Sequence, residues 1–397
     1  MTAWHDDGQA RFYMGDCREV LRSLPAESVQ MLVTSPPYWS LRDYGVEPTV
    51  WGGDADHLHD WESETVTRQN RTGLGMAALG EKYRGGGHKA GIIPEQQFER
   101  ANCVCGAWRG ALGLEPDPGM YVEHIVEVFR EVKRVLRKDG TLWLNIGDSY
   151  AASRSGPVGD FSTLDGGNSA QKASREAAAA SRFGGRSRTR ERFPEMGIKP
   201  KDLMGIPWMV AFALQADGWY LRQDIIWAKP NPMPESVQDR CTKAHEYLFL
   251  LSKSPRYYSD FEAIREPATD PGRENGRDGR PEYADHRRLP PGAHPQTLAR
   301  QDFTARGRNK RSVWTIPTSP FPEAHFAIFP QALVEPCILA GSREGDTVLD
   351  PFLGSGTTAM VAKRLGRRAI GIDMKAEYLE MAVRRVGEQL ARLEGAE

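Results

Sequence analysis

The chain has 397 residues, enough for one large α/β unit with inserted or appended segments. Apolar residues make up 40% and charged residues 26% of it, which excludes wholesale disorder and provides material for a sizeable core. The 52 basic and 53 acidic residues give a net charge of −1, which excludes a histone-like basic protein but leaves room for a local basic groove.

The first predicted strand ends abruptly. The apolar run at 29–34 (VQMLVT) indicates a short buried strand. The sequence S-P-P-Y at 35–38 stops it, because proline cannot donate to a sheet ladder. Residues 52–119 follow, rich in glycine and polar groups with little periodicity. We interpret them as an insertion that lacks a core of its own.

A helix and a second strand lead into a loose segment. Apolar residues at helical spacing predict a helix over 121–136, ended by Asp139-Gly140, and a strand over 141–150. Residues 151–199 are rich in Arg, Gly and Ser and lack periodicity, which favours a mobile, locally positive loop.

Strands and helices alternate in the rest of the chain. The predicted helices are 203–217, 330–341, 357–366 and a last one from about 375. The predicted strands are 220–230, 246–254, 346–350 and 368–373. A second loose segment spans 265–312. This alternation is typical of a doubly wound, mostly parallel sheet of the α/β class.

A glycine-rich loop separates the strand that ends at Asp350 from the helix at 357. Glycines let a backbone approach a ligand closely, and a helix N-terminus offers unpaired N–H groups. Asp373 ends the next strand, where an acid accepts hydrogen bonds from ribose hydroxyls. The alternative is a tight strand–helix turn beside an exposed aspartate. The third glycine of a dinucleotide fingerprint is missing, which disfavours a nicotinamide oxidoreductase.

The S-P-P-Y turn suits the activation of an exocyclic base amine. Such an amine is a poor nucleophile because its lone pair is conjugated into the ring. The hydroxyl of Ser35 and a backbone carbonyl can accept hydrogen bonds from both amine hydrogens. Pro36 and Pro37 fix the backbone, and Tyr38 offers a ring on which an extruded base can stack. The alternative is a proline-rich strand exit with buried aromatic residues.

Together the two motifs resemble the amino-methylating DNA methyltransferases that use S-adenosyl-L-methionine. In that family the cofactor loop reads F-x-G-x-G, as at 352–356, and the catalytic turn reads [DSN]-P-P-[YFW], as at 35–38. Here the turn precedes the loop, which is the circularly permuted order of the β group. The stretches Gly15-Asp16, 227–234 with 245–247, and 325–330 also fit.

The resemblance implies a Rossmann-like methyltransferase fold with inserted loops and a target-recognition region. It implies the catalytic residues Ser35, Pro36, Pro37 and Tyr38. The cofactor contacts that we predict from the resemblance and the loop are Asp16, Ser35, Asp350, Phe352, Gly354, Ser355, Gly356, Thr357, Asp373, His325 and Phe326.

The expected organisation follows the same motifs. The catalytic half of the core is 1–51 and 120–150, the insertion is 52–119, the mobile loop is 151–199, the core continues at 200–230, the target-recognition region is 231–312, and the cofactor-binding half is 313–397.

Double-stranded DNA is the expected macromolecular partner, and basic residues interspersed with glycine and polar groups are expected to contact it. The candidates are Lys229, Arg300, Arg306, Arg308, Lys310 and Arg311. An ordinary solvated loop is the alternative for 300–311.

Two pairs of metal-ligating side chains lie in the insertion. His57 and His59 precede Cys103 and Cys105, and two imidazoles with two thiolates suit a tetrahedral structural zinc. The C-x-C spacing is tighter than the usual C-x₂₋₄-C, and surface histidines without a metal are common.

The base substrate is predicted from Ser35. In the family, serine at this position usually accompanies cytosine N4 and aspartate usually accompanies adenine N6, so we predict N4-methylcytosine with N6-methyladenine as the alternative. Methylation of RNA or protein, and DNA binding without catalysis, remain further alternatives. Pro336-Cys337 resembles the nucleophile of cytosine-C5 methyltransferases, but it lies in an apolar-periodic stretch typical of a core helix.

Five cysteines in so long a chain do not form a disulfide framework, and no run of about 18 apolar residues occurs. We therefore expect a soluble, cytoplasmic protein, and the resemblance implies a bacterial or phage type that is associated with the nucleoid. A cognate restriction endonuclease either accompanies it or is absent, and both a monomer and a homodimer remain open. We expect no association with a membrane.

Overall fold

A computed structural model describes residues 1–54, 56–68, 96–151, 196–199, 201–267, 307–318 and 330–394. The strands of this described part are β1 (His5–Asp6), β2 (Ala10–Met14), β3 (Val29–Thr34), β4 (Thr49–Trp51), β5 (Trp61–Arg68), β6 (Gln96–Cys103), β7 (Trp108–Gly110), β8 (Leu136–Ile146), β9 (Tyr220–Ala228), β10 (His245–Ser252), β11 (Val313–Thr315), β12 (Thr347–Asp350) and β13 (Arg368–Asp373). The helices are α1 (Cys17–Ser23), α2 (Pro118–Val135), α3 (Ile206–Ala216), α4 (Gln331–Gly341), α5 (Thr357–Arg364) and α6 (Ala376–Glu394).

A nine-stranded sheet runs through the molecule in the order β1-β2-β13-β12-β3-β8-β10-β9-β11. The strands β2, β13, β12, β3 and β8 are mutually parallel, so their carboxyl ends meet at one edge. Only β10 among the strands beyond β8 runs the other way, antiparallel to both β8 and β9. The amino end of β10 therefore lies at the same edge.

Helices cover both faces of this sheet. Side chains of α1, α2 and α3 form one buried apolar cluster with the sheet. Side chains of α4, α5 and α6 form a second cluster on the other face. All six residues of β3 are buried, as expected for a strand covered on both faces. The predicted doubly wound, mostly parallel α/β fold is confirmed.

The helix ends follow local capping chemistry. The carboxylate of Asp117 accepts from the N–H of Met120 at the start of α2, and Pro118 occupies the first turn. The prediction that Asp139-Gly140 ends this helix was wrong. The helix ends at Val135, and β8 starts at Leu136, which pairs with Val29 before the register shifts.

This irregular stretch of β8 requires glycine because its backbone passes close to the backbone of β3. A Cβ at Gly140 would lie 2.9 Å from the carbonyl oxygen of Gln30. The dipeptide is therefore a sheet feature rather than a helix stop.

The insertion contains a second sheet of four strands, in the order β4-β7-β6-β5. Hydrophobic periodicity missed it because β5 and β6 (WESETVTR and QQFERANC) contain few apolar residues. Trp51 and Trp108 are nearly fully buried and join the apolar cluster of α1 and α2. The small sheet therefore shares the core of the large one.

None of the helices in the described ranges is long and apolar enough to cross a membrane.

Two hydrogen bonds join β3 to the end of β12 and to the helix α5 that follows it. The hydroxyl of Thr34 donates to Oδ1 of Asp350 over 2.6 Å, and that of Thr358 donates to the carbonyl of Val33 over 3.2 Å. Thr34 and Asp350 are almost completely shielded from water. This burial raises the pKa of Asp350 to about 6.

We expect Thr34→Val to lower the free energy of unfolding by about 1–3 kcal/mol near pH 8, because a buried carboxylate loses a donor. The loss should be smaller near pH 5, below the raised pKa of Asp350, where the carboxyl carries its own proton. Urea unfolding at both pH values measures this. The control is Thr315→Val on the exposed face of β11, expected to change stability by at most about 0.5 kcal/mol. Equal losses in the two variants would contradict the importance of the buried bond.

Candidate active site

The carboxyl edge of the sheet gathers the two sequence motifs. Ser35 follows β3, Asp350 ends β12, and Asp373 ends β13. Because β10 is antiparallel, Glu246 near its amino end joins them at this edge. The edge of a parallel sheet beyond its carboxyl ends is where open α/β folds bind ligands.

Polar side chains form one network behind the S-P-P-Y turn. The hydroxyl of Tyr38 lies 3.2 Å from Oγ of Ser35, 3.1 Å from Oδ1 of Asn145 and 2.8 Å from Oε2 of Glu246. The amide nitrogen of Asn145 also donates to Glu246, over 3.2 Å, and the ammonium of Lys229 pairs with the same carboxylate. Burial and the charge of Glu246 raise the pKa of Tyr38 well above its usual value, so the phenol stays protonated.

The backbone of the turn is held from behind. The hydroxyl of Tyr121 donates to the carbonyl of Pro37 over 2.8 Å, and the indole of Trp39 donates to the carbonyl of Glu115 over 3.2 Å. A Cβ at Gly147 would lie 2.7 Å from the ring of Tyr38, so only glycine fits there. These contacts fix the turn relative to α2 and β8.

The glycine-rich loop is built around Asp373. Its carboxylate accepts from the N–H of Gly354 and from the N–H of Lys375, each over 2.9 Å. Gly356 has φ of +79°, and a Cβ there would lie 2.7 Å from the Cβ of Ala382. The loop can take this path only with glycine at that position.

The space above the loop is open at Gly354, where a Cβ would meet only the carbonyl oxygen of Phe352, at 4.0 Å. Phe352 packs partly buried against the apolar cluster. Burial raises the pKa of Asp373 to about 6 in spite of its two backbone donors.

Other predicted cofactor residues have partners within the protein. A guanidinium nitrogen of Arg385 donates to the carbonyl and the hydroxyl of Ser355, each over 2.6 Å, and to the hydroxyl of Thr357 over 3.2 Å. Asp16 caps α1 and forms an ion pair with Arg18 over 2.6 Å. These side chains hold α1, α6 and the loop in place.

Tyr44 connects the two motifs and was not predicted from the sequence. Its carbonyl accepts from the ammonium of Lys375 over 2.9 Å. Burial raises the pKa of its phenol; the charge of Arg42 opposes this rise, and the carboxylates of Asp373 and Glu246 add to it. Tyr44 therefore lies within electrostatic reach of both ends of the site.

Two further site residues, Asn145 and Glu246, were also missed as members of this network. Asn145 lies within the predicted strand, and Glu246 lies in the stretch 245–247 that we associated with DNA recognition. The signal that distinguishes Glu246 is the direction of β10, which a sequence pattern does not contain.

The predicted DNA contacts are placed differently from one another. Lys229 pairs with Glu246 and lies 4.2 Å from the ring centre of Trp227, so it belongs to the network behind the turn. Three candidates from the basic stretch surround the carboxylate of Glu266. Their charged nitrogens lie 3.3–3.8 Å from its oxygens; these residues are Arg308, Lys310 and Arg311.

Four predicted residues lie outside the described residues. They are His325, Phe326, Arg300 and Arg306. The mobile loop predicted at 151–199 also lies largely outside them.

The interpretation of Cys337 as a core residue is confirmed. It is fully buried in α4, and its thiol contacts the carbonyl of Leu333 over 3.1 Å. Burial also raises its pKa well above the usual value, which disfavours a thiolate nucleophile.

The four candidate metal ligands lie together. Ligand atoms of His57, His59, Cys103 and Cys105 are all within 4.8 Å of one another, at the end of the small sheet.

Comparison with known proteins decides the family. The family model described as DNA methylase, which covers N6 and N4 methyltransferases, matches residues 29–384. The chain belongs to this DNA methylase family.

Its relatives in the family match along most of their length. The Type II methyltransferase M.SmaI of Serratia marcescens is 37% identical over 376 residues, which cover 95% of this chain and 90% of that protein. M.Cfr9I of Citrobacter freundii is 37% identical over 95% of this chain and 87% of its own length. The solved cytosine-N4-specific PvuII DNA methyltransferase superposes with a TM-score of 0.51 at 16% identity, over 98% of this chain and 94% of that one. At this identity the likeness concerns the fold.

This DNA methylase is a DNA methyltransferase of the N4/N6 amino type, and its methyl donor is S-adenosyl-L-methionine. The residues at the edge fit that cofactor. A half-buried carboxylate at the end of β13 suits ribose hydroxyls, and the open backbone at Gly354 suits close approach of a ligand.

Proposed function

We propose that this methyltransferase modifies the exocyclic N4 of a cytosine that is flipped out of double-stranded DNA at a specific site. The observation that carries the proposal is the first residue of the catalytic turn. Ser35 offers a neutral hydroxyl where the family pattern also permits a carboxylate. The second candidate is N6 of adenine, because both amines need two hydrogen-bond acceptors and the pocket shape also contributes.

The network behind the turn prepares Ser35 as an acceptor. Tyr38 has a single proton, and the charged carboxylate of Glu246, at 2.8 Å, is its strongest acceptor. The phenol oxygen then accepts from Ser35, which leaves the lone pairs of Oγ directed to a substrate amine. Chains of this kind strengthen each hydrogen bond along them.

The reaction releases one proton. The amine nitrogen forms a bond to the methyl carbon, the carbon–sulfur bond breaks with its electron pair moving to sulfur, and the nitrogen loses one hydrogen as a proton. We propose that Ser35 and Tyr38 pass this proton to Glu246, each accepting one proton and giving up its own. Lys229 balances the charge of Glu246 before transfer.

At the other end of the site, S-adenosyl-L-methionine supplies an electrophilic methyl group when bound. Asp373 would hold the ribose hydroxyls, and Phe352 and Gly354 would line the cofactor's place. Asp350 and the side chains of Ser355 and Thr357 would act by holding this loop, and Asp16 would hold the start of α1, since each is bonded to another protein group.

Target recognition is proposed for 231–312, with Arg308, Lys310 and Arg311 near the phosphates. The relatives are named Type II methyltransferases, which supports a restriction–modification setting with or without a cognate endonuclease.

We expect Ser35→Ala to lower the methylation rate by about 10²–10³, because a reacting group loses an oriented polar contact. Binding of S-adenosyl-L-methionine should change little. Single-turnover kinetics and calorimetry measure the two effects. Ser28→Ala is the matched control, since Ser28 is exposed at the other end of β3. A full rate in Ser35→Ala would remove the hydroxyl from the mechanism.

Nucleoside mass spectrometry of DNA modified by the purified enzyme identifies the base. N4-methylcytosine is the expected product. N6-methyladenine without N4-methylcytosine would overturn the choice of base and leave the amino methyltransferase mechanism standing.

We expect the affinity for S-adenosyl-L-methionine to be constant above about pH 7 and to fall as the pH drops through about 6. The cause is protonation of Asp373, whose carboxylate accepts more hydrogen bonds when ionised. Asp373→Asn should bind about 1.5–3 kcal/mol more weakly at neutral pH and lose most of this pH dependence.

Calorimetry without DNA measures both effects. Asp350 also has a raised pKa of about 6 but is retained in the variant. If Asp373→Asn keeps the full pH dependence, another group is responsible.

For the basic cluster around Glu266, we expect Arg308→Gln, Lys310→Gln and Arg311→Gln combined to weaken DNA binding. Each lost phosphate contact should reduce the slope of log affinity against log salt by about 0.9. Fluorescence anisotropy over a salt series measures this. Arg368→Gln, at the opposite end of β13, is the control. An unchanged affinity and slope would place the DNA contacts elsewhere.

A further inference from the structure

The small sheet brings two ligand pairs to one end of a hairpin. His57 and His59 precede β5, while Cys103 ends β6 and Cys105 lies in the following turn. The strands β5 and β6 pair so that Trp61 lies opposite Cys103. Pairs that are more than forty positions apart in the chain therefore meet because of strand register.

The turn that carries the cysteines is tightly defined. The N–H of Gly106 donates to the carbonyl of Cys103 over 2.9 Å, and Gly106 has φ of +85°. The loop before the histidines packs against it, because a Cβ at Gly53 would lie 2.5 Å from the Cβ of Ala107. The backbone thus holds both pairs in place from two sides.

The distances suit a tetrahedral ion. Zinc bonds of about 2.3 Å to sulfur and about 2.0–2.1 Å to nitrogen place neighbouring ligand atoms roughly 3.3–3.8 Å apart. Sγ of Cys105 lies 3.4 Å from Nδ1 of His59, and the four ligand atoms are all within 4.8 Å of one another.

An unpartnered atom also points to a ligand. Nε2 of His57 is buried and has no hydrogen-bond partner among the described residues. Leaving such a nitrogen unsatisfied is unfavourable, and a metal bond would remove that cost. Two thiolates with two imidazoles favour zinc, whereas Mg²⁺ and Ca²⁺ prefer oxygen ligands.

We propose that His57, His59, Cys103 and Cys105 bind a structural Zn²⁺ that fixes the small sheet against the catalytic turn. The connection to the turn is short. The segment from Ala111 to Glu115 follows β7 directly and touches the turn at several points.

The contacts of this segment are specific. The N–H of Ser40 donates to the carbonyl of Gly113 over 2.8 Å. A Cβ at Gly113, which has φ of +90°, would lie 3.1 Å from the carbonyl of Tyr38 and 3.2 Å from the Cβ of Pro37. Trp39 donates to the carbonyl of Glu115, as described above.

Buried side chains connect the segment from Ala111 to Glu115 to α2 as well. The carboxylate of Glu115 lies 3.0 Å from Nδ1 of His124, and the imidazole stacks on the rings of Trp51 and Trp108, which belong to the small sheet. Movement of the small sheet would therefore disturb Glu115 and, through it, the turn.

The metal itself is tested on the full chain purified without chelator. Elemental mass spectrometry should find about one zinc per chain. Cobalt(II) added to the zinc-free protein should give the visible absorption of tetrahedral coordination with thiolate charge transfer. A chain that holds no zinc and takes up neither metal would overturn the proposal.

Variants test the ligand assignment. Cys105→Ser should lose most of the bound zinc, whereas Cys241→Ser, at an exposed cysteine that is not part of the cluster, should keep it. Wild-type zinc content in Cys105→Ser would overturn the ligand set. If that variant does not fold, the metal content and cobalt spectrum of the unaltered chain still decide the matter.

Hydrogen–deuterium exchange tests the coupling to the catalytic turn. Removing zinc with a chelator should accelerate exchange in 103–115 and also at 38–41, with little change in the strand β13. Restoring zinc should reverse the effect. If exchange accelerates in 103–115 while 38–41 keeps its protection, the metal does not stabilise the catalytic turn.

Discussion

The buried hydrogen bond between Thr34 and Asp350 holds the two halves of the active edge together. Thr34 is the last residue of β3 before the S-P-P-Y turn, and Asp350 is the last residue of β12 before the glycine-rich loop. The two residues are 316 positions apart in the chain, yet no water reaches either. Moving one loop against the other would take one hydrogen-bond donor from a buried carboxyl group, which is costly. The sheet, rather than the loops, therefore fixes the distance between the groups that face the base and those that face the cofactor.

Three carboxyl groups crowd the same edge, and the protein compensates each in a different way. Asp350 receives a threonine hydroxyl and a backbone N–H, Asp373 receives backbone N–H groups, and Glu246 receives a lysine ammonium. Neutral donors in a buried place leave the pKa of Asp350 raised, whereas a full positive charge balances Glu246. The ammonium of Lys229 thus offsets the negative charge of Glu246 next to Tyr38, where a polyanionic substrate must approach.

Sequence patterns predicted the central strands of the large sheet. These strands are buried on both faces, which gives continuous apolar runs, or they lead directly into one of the two sequence motifs. The run VQMLVT and the glycine-rich loop after Asp350 both lie where we expected them. The patterns missed the small sheet, since polar strands such as β5 carry no hydrophobic signal. They also missed Glu246 as a site residue, because strand direction is set by tertiary packing. The sequence did, by contrast, predict that ligands such as His57 and Cys105 belong to one group, because histidine and cysteine are recognisable as metal ligands from residue type alone.

The strand order has a consequence for how the chain assembles. The last two strands, β12 and β13, insert between β2 and β3, which are synthesised first. Until residue 347 and those after it have left the ribosome, β2 and β3 each have an open edge. Closing the sheet then joins segments more than 300 positions apart, a contact pattern that slows folding. A chain truncated before residue 347 would therefore lack both inserted strands and expose the open edges of β2 and β3, which are prone to aggregation.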